Sequence, residues 1–394
     1  MEYLQLSKQF YKDKAGYEQL YNNRFNHEET IRIPISIYGN EAFLTHPKEL
    51  IQLLTNIYKE DKKLSENVWS LQGIALDQFM KKCLVDEIEL TNDIEGVYTT
   101  RKEIKDLINT VIEKKDKKRL QGLVQKYIML SQESNVKITS CQDVRKIYDE
   151  LVLQEVLEED ERNAPDGVIF RKDSVSVQGK DLQIIHYGVT PEENIISYMD
   201  ECIKILNDDA INPLVIVAVV HYFIGYIHPF YDGNGRLNRF LSSYLLSKEL
   251  HPLVGYSLSY TIKTQIDTYY KTFKITNDRK NKGDITPFVI IFLGFVLQSM
   301  EHLNSVLTNK IEQLSYYAEK INEEITNEKM IEMLFLLLQN SLFGEEGLTV
   351  DQCAEFVNIS VSTVRNYIAL LPKDLLLVTK NGYRKLYDIN LDYF

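Results

Sequence analysis

The chain has 394 residues, 44% hydrophobic and 26% charged, a balance that excludes disordered and fibrous classes and leaves room for two or three domains of the usual ~100–200 residues. Its formal charge of −12 sets the molecule as a whole against polyanions, so nucleic-acid binding would need a local basic patch. Cys83, Cys141, Cys202 and Cys353 lie far apart with no CxxC spacing, which excludes a cysteine-based zinc site and fits a reducing compartment.

The N-terminus, MEYLQLSKQFYKDK, has no secretory pattern, and the expectation is a cytoplasmic protein. Apolar residues recur at three- and four-residue steps while glycine (17) and proline (9) are sparse, so the fold is expected to be mainly α. The first 45 residues are the exception: IRIPISIY at 31–38 alternates as a short strand, closed by His46-Pro47. Helices are expected at about 47–60, 65–83 and 101–114, with EKKDKKR at 113–119 as an exposed connection. VIFRKDSVSVQGKDLQIIHYG then gives two alternating runs joined around Gly179-Lys180-Asp181, a β-hairpin over 168–187. Pro191-Glu192-Glu193 opens a helix through about 207, with the proline in its first turn and acids beside its positive end. Pro213 opens VIVAVVHYFIGYI, apolar on every side and therefore expected in the middle of a bundle. The apolar runs at 213–220 and 288–296 are short of the ~20 residues that cross a bilayer, so no membrane span is expected.

After an amphipathic stretch at 297–326 the character changes. KMIEMLFLLLQ, TVDQCAEFV and SVSTVRNYIALL read as three helices, the last N-capped by Ser360 and stopped by Pro372. LLLVTKNGYRKLYDI follows as a hairpin turning on Asn381-Gly382, which completes the outline of a winged helix-turn-helix.

HPFYDGNGRLNR, residues 228–239, sits between the apolar helix and another helical run. Gly233 and Gly235 let the backbone approach a ligand, and the helix that follows offers free N–H groups and a positive dipole end, a combination suited to phosphate. Arg236 and Arg239, three apart, can share a helix face and clamp further phosphate oxygens. Asp232 supplies one hard carboxylate, enough for a Mg²⁺ that keeps its waters and bridges phosphates. His228 titrates near neutrality and can take a proton from an incoming hydroxyl. Alone, a Gly-Asn-Gly is ordinarily a turn and a loop histidine ordinarily structural. Packing does not explain their coincidence with two arginines and an acid in twelve residues.

This segment resembles the signature of the Fic family, HPFx(D/E)GNGRxxR, at every fixed position. The resemblance implies a Fic-type helical bundle with a β-hairpin flap at 168–187 and a protein adenylyltransferase using ATP and Mg²⁺. By that resemblance His228 is the general base and Asp232 the metal ligand. Gly233, Asn234 and Gly235 form the anion hole, and Arg236 and Arg239 reach the β- and γ-phosphates. YYKTFKITNDRKNKGDITPF is similar to the family's downstream segment and sets Tyr270 and Asn277 near the adenine. The flap would hold a protein substrate by strand addition and present its Ser, Thr or Tyr hydroxyl.

Upstream, LTNDIEGVYTT fits the family's inhibitory pattern (S/T)xxxE(G/N) at Thr91, Glu95 and Gly96, within a helix expected at about 84–97. The resemblance implies that Glu95 pairs with Arg236 in place of the γ-phosphate, and that the same glutamate can position a water for removal of AMP. The organisation implied is an N-terminal helical region at 1–140, a catalytic core at 141–300, a helical linker at 301–327 and the winged module at 328–394. His221 is expected to be a hydrogen-bonded core residue, and His186 and His251 incidental. The 25 tyrosines leave self-modification open, as the module leaves a homodimer.

The rival reading is a DNA-binding regulator that carries a nucleotide domain. From Glu345 to Phe394 the chain has five basic residues (Arg365, Lys373, Lys380, Arg384, Lys385) against seven acids (Glu345, Glu346, Asp351, Glu355, Asp374, Asp388, Asp392), which disfavours it.

Overall fold

The computed structural model describes residues 3–112, 120–131, 136–178 and 184–394. The helices in chain order are α1 (Leu6–Lys12), α2 (Lys14–Phe25), α3 (Lys48–Trp69), α4 (Ala75–Ile94), α5 (Arg101–Ile112), α6 (Gln121–Ile128), α7 (Cys141–Tyr148), α8 (Gln154–Glu159), α9 (Glu192–Leu206), α10 (Pro213–Ile227) and α11 (Asn234–Glu249). They continue with α12 (Leu258–Thr264), α13 (Ile266–Thr276), α14 (Thr286–Glu324), α15 (Glu328–Phe343), α16 (Val350–Val357) and α17 (Val361–Leu370). Six strands form three antiparallel pairs: β1 (Ile31–Ile37) with β2 (Asn40–Leu44), β3 (Ser176–Gln178) with β4 (Ile184–Tyr187), and β5 (Leu376–Asn381) with β6 (Arg384–Ile389). The mainly α expectation holds.

The chain divides into two compact units, one of Met1–Asp61 with Val85–Met300 and the other of Lys62–Leu84 with Glu301–Phe394. In the first, α10 is the central element, buried from Leu214 to Ile227 apart from Gly225, with α9 and α11 against it. Pro213 fits its first turn because that residue needs no hydrogen-bond donor, and Asn212 Oδ1 accepts the Leu214 N–H at 3.0 Å. Ser140 and Asp143 form a reciprocal capping box on α7, and Asp149–Leu153 then widens into a π turn before α8. That turn sets the direction in which α8 presents its side chains to α11.

In the second unit, α15, α16 and α17 are capped by Asn327, Thr349 and Ser360. The β5–β6 hairpin follows, and Leu348 bridges to Tyr387. The most apolar window of the 39-residue α14 is long and apolar enough to cross a bilayer by length and composition, yet 61% of it is buried inside the protein, as in a core helix.

The expected elements shift in several places. The alternating segment at 31–38 is one half of a hairpin whose partner, β2, the pattern did not reveal; Gly39 at φ +90° makes the turn. Two helices, α1 and α2, precede it. α3 runs on to Trp69, beyond the expected end at about 60. Pro191 is the N-cap of α9, one position before the expected first turn. The apolar run at 288–296 and most of the amphipathic stretch at 297–326 belong to the single α14. The flap strands are shorter than 168–187, and the turn at Gly179-Lys180-Asp181 and the connection at 113–119 lie outside the described residues. In the last hairpin Asn381 pairs with Arg384, so the two-residue loop is Gly382-Tyr383, with Gly382 at φ +60° in the first central position rather than the second.

Candidate active site

The twelve-residue segment is a left-handed turn that joins two buried helices. His228 closes α10 at φ +53°, Gly233 opens α11 at φ +76°, and the chain between them folds back on itself. Asn234 holds that fold: its Oδ1 accepts the Phe230 N–H at 2.9 Å, and its Nδ2 donates to the Phe230 carbonyl at 2.8 Å. The Phe230 ring stacks on Tyr148, 3.6 Å between centroids, and Tyr148 Oη donates to the Asp232 carbonyl at 3.1 Å. A side chain on Gly233 would be strained by its φ and would meet Val152 Cγ2 at 2.9 Å. The loop is thus set by core packing. Its free N–H groups, at the N-terminus of α11, face a cavity of about 170 Å³ whose walls include Glu95, His186, His228, Gly235, Arg239 and Tyr270.

An anion of the protein itself occupies the cradle. A Cβ placed on Gly235 would meet Glu95 Oε1 at 2.1 Å, so the carboxylate lies directly over the glycine backbone. Arg239 donates from Nη1 to Glu95 Oε1 (2.7 Å), from Nε to Thr91 Oγ1 (2.7 Å) and from Nη2 to the Thr91 carbonyl (2.8 Å). All of its nitrogens are therefore spent on the end of α4. Thr91 lies in the last turn of α4, and Glu95 and Gly96 follow its end, Gly96 at φ +75°. Glu95 is therefore just off the helix, still on the face that Thr91 presents.

The expected partner of Glu95 was Arg236, and the structure corrects this. Arg236 Nη1 donates to Glu155 Oε2 at 3.0 Å, with only 1% and 4% of the two side chains exposed, and Arg236 Nη2 stands 4.0 Å from Asp232 Oδ1. The reason is helical phase. Residues 236 and 239 point about 60° apart around a helix of 3.6 residues per turn, and that offset lets α8 take the first and α4 the second. Arg236 is not among the residues that line the cavity.

His228 is half-buried, and its Nδ1 is a buried atom without a hydrogen-bond partner. Its pKa is pushed down to about 3, first by burial, then by His186 and the Arg171 cation, against a pull upward from the Gly225 carbonyl. Asp232 carries a carboxylate 37% exposed beside the cradle, where Oδ1 accepts the Gly233 N–H. Asn277, expected near a base, is 5% exposed, with Oδ1 accepting the Tyr222 hydroxyl at 2.7 Å and Nδ2 buried without a partner. Tyr270 lines the cavity.

His221 is the expected core histidine. Ser242 gives its proton to the Asn238 carbonyl (2.9 Å), so His221 Nδ1 donates to Ser242 Oγ (2.7 Å) and Nε2 accepts from Tyr269 Oη (2.8 Å). His251 accepts the Leu253 N–H at 3.3 Å and caps a short turn. His186 is not incidental: it is 3% exposed, it lines the cavity, and its Nε2 donates to the Tyr226 carbonyl at 3.1 Å.

Two buried groups escaped the sequence reading. Glu87 sits one turn before Thr91 on α4 and accepts from Ser259 Oγ (2.6 Å) and N (3.0 Å); burial pushes its pKa up to about 7 against those bonds and the nearby Arg239 charge. The four-residue spacing of Glu87, Thr91 and Glu95 was a signal that could have found it. Arg171 is fully buried under the flap.

Residues 138–246 match the model of the Fic/DOC family. A protein adenylyltransferase Fic of Drosophila erecta is 31% identical over 169 residues, 41% of this chain and 30% of that protein. Its counterpart in Drosophila grimshawi is 26% identical over 267 residues, 65% of this chain and 51% of that protein. The chain thus spans about a third to a half of the length of these relatives. Among solved structures, a Fic family protein from Desulfovibrio desulfuricans G20 shares the fold at a TM-score of 0.50 and 17% identity, covering 88% of this chain and 97% of that one.

Proposed function

With residues 138–246 forming a Fic/DOC family domain, we propose that this chain is a nucleotidyltransferase that moves the AMP of ATP onto a protein hydroxyl and is restrained by Glu95. The carboxylate lying over Gly235 and paired with Arg239 carries this reading. A helix N-terminus and a buried guanidinium recognise an anion, and Glu95 stands where a nucleotide's terminal phosphate would sit. The adenylyltransferase relatives point to ATP as that anion's source.

In the reaction, the oxygen of a Ser, Thr or Tyr hydroxyl forms a bond to the α-phosphorus while the bond from that phosphorus to the β-phosphate oxygen breaks. The hydroxyl proton passes to His228, and pyrophosphate leaves. The depressed pKa keeps the imidazole neutral, the form that accepts a proton. A bound triphosphate brings negative charge beside the ring and raises its pKa toward the working pH. Arg239 and the backbone N–H groups of the cradle stabilise charge on the phosphates. Asp232 fits a Mg²⁺ ion: its carboxylate is accessible, and no cluster of three acidic, His or Cys ligands is found among the described residues, so the remaining ligands would be phosphate oxygens and water. Such an ion neutralises phosphate charge. The flap strands β3 and β4 contribute Ser176, Val177, Gln178 and His186 to the cavity wall, which supports entry of the substrate segment along the flap. The 25% exposure of Glu95 beside the cavity supports a second role for it, holding a water that hydrolyses AMP from the modified hydroxyl.

All four cysteines are free and buried, which supports a reducing, cytoplasmic setting. We assign the three helices and hairpin at 328–394 to dimerisation or partner docking: Phe356 (55%), Leu370 (75%) and Tyr383 (109%) are exposed there, and acids outnumber bases. Duplex binding that survives moderate salt and disappears on deleting 328–394 would overturn that assignment.

The test of the activity is transfer of label from α-labelled ATP with Mg²⁺ present. Wild type should label weakly and His228→Ala not at all. Glu95→Gly should label ~10–100-fold faster, since hydrogen bonds to charged groups are worth ~1.5–3 kcal/mol. Transfer from γ-labelled ATP would identify a phosphotransferase instead. No calorimetric ATP binding by Glu95→Gly would end the proposal.

A further inference from the structure

Arg171 has no place in the chemistry above, yet it is one of the most deeply buried cations of the protein, 0% exposed, with no carboxylate in ion-pair distance among the described residues. Its guanidinium is satisfied by carbonyls alone. Nε donates to His228 O at 2.8 Å, Nη2 to Val189 O at 2.9 Å and Ile227 O at 3.3 Å, and Nη1 to Asp173 O at 2.6 Å. Its own backbone N–H donates to Pro229 O at 3.2 Å, and the Val189 N–H to Ile227 O at 3.0 Å. Ile227 and His228 end α10, so the cation sits at the negative end of that helix, which compensates a charge with no counter-ion. Asp173 precedes β3 and Val189 follows β4, so one planar group joins both feet of the flap to the carbonyl of the candidate base.

The surroundings are built for that group. A Cβ on Gly188 would meet Arg171 Nη2 at 2.4 Å and His228 Cβ at 3.2 Å, so only glycine leaves room between flap, guanidinium and histidine. The αL conformation of His228 is one that L-residues avoid, and it needs a partner to hold it.

We propose that Arg171 is the positioning residue of His228: by clamping the His228 and Ile227 carbonyls to both ends of the flap, it fixes the left-handed turn that aims the imidazole into the cavity. The clamp couples the element that receives the substrate segment to the group that takes its proton. This rests on His228 acting as the base. The titratable and charged groups facing the imidazole are His186 from β4 and Arg171, with the Gly225 carbonyl beside them.

Two variants test the clamp with the positive charge retained, each in the Glu95→Gly background. Arg171→Lys keeps the charge and loses the fork, since an ammonium cannot reach carbonyls on four sides in one plane. Gly188→Ala keeps Arg171 and displaces its Nη2. Both should bind ATP within about 3-fold of the parent by calorimetry, because neither residue touches the cradle, while kcat at saturating ATP falls at least ~10-fold, the scale of a misaligned general base. In both, the His228 ring resonances, read by NMR of labelled histidine without substrate, should shift from those of the parent. A kcat within 2-fold of the parent would overturn the proposal, as would ATP affinity and kcat falling in parallel with His228 resonances unmoved. If the Glu95→Gly parent transfers no AMP, the activity reading fails by itself, and the NMR comparison still decides whether Arg171 and Gly188 set the ring.

Discussion

Arg236 and Arg239 leave the first two turns of α11 three residues apart, each 1% exposed, and go to different partners. On the α4 side Arg239 meets Glu95, a carboxylate 25% exposed in the cavity wall. On the α8 side Arg236 meets Glu155, 4% exposed and behind the cradle. A solvent-borne anion can compete for the first cation and has no route to the second. The same residue type is thus a receptor on one side and a strut on the other. What decides between them is whether the carboxylate it meets can be replaced.

The comparison can be broken most sharply at the strut. Glu155→Gln leaves buried Arg236 with only Asp232 at 4.0 Å as a counter-charge and should lower stability by about 3 kcal/mol in urea denaturation, with ATP giving no rescue. Replacing both partners, Glu155→Leu with Arg236→Met, should recover most of that loss. If the single variant melts like wild type, the pair is not the strut described.

On the receptor side Glu87 predicts a pH signature. An acid whose folded pKa is raised to about 7 binds a proton in the folded state that the unfolded chain has already released, so stability falls as pH rises from the ordinary glutamate value to about 7 and is flat above. The full swing is roughly 3 kcal/mol at about 1.4 kcal/mol per pKa unit. Glu87→Gln should flatten that part of the stability–pH curve, and an unchanged slope would place the proton elsewhere.

The smallest effect sharpens the contrast. Thr91→Val removes the hydroxyl that accepts from Arg239 Nε and leaves the Thr91 carbonyl and Glu95 bonds in place. It should weaken the hold on Arg239 by about 1 kcal/mol and raise ATP affinity by ~5-fold in calorimetry. A loss of affinity would mean that Thr91 supports the nucleotide rather than the brake.

The sequence made much of this legible where the signal is local. The Pro213 start of α10, the glycine-bearing turn at 228–235 and the Ser360 cap are spelled by adjacent residues, and each appears where expected. The pairing of Glu155 with Arg236 spans 81 residues and depends on a π turn that re-aims α8, which no apolar periodicity encodes. Arg171 hid in a strand-like pattern because its partners are main-chain carbonyls, which every residue carries. His186 looked incidental for a related reason: a short alternating segment does not say which of its faces meets a cavity. The bond from Tyr222 to Asn277 was hidden because Tyr222 lies on a helix read only as apolar core.

Asn234 brackets both backbone groups of Phe230, so the turn is fully tied before any ligand arrives. Nucleotide entry then requires no ordering of the chain, only rotation of the Glu95 side chain, a motion that exposed side chains complete within picoseconds to nanoseconds. Because that rotation is fast, wild type should take up ATP at the rate of Glu95→Gly multiplied by the fraction of time the cradle stands open. The contrast should therefore appear in the arrival rate of ATP, slower wherever a tethered carboxylate fills the cradle between visits.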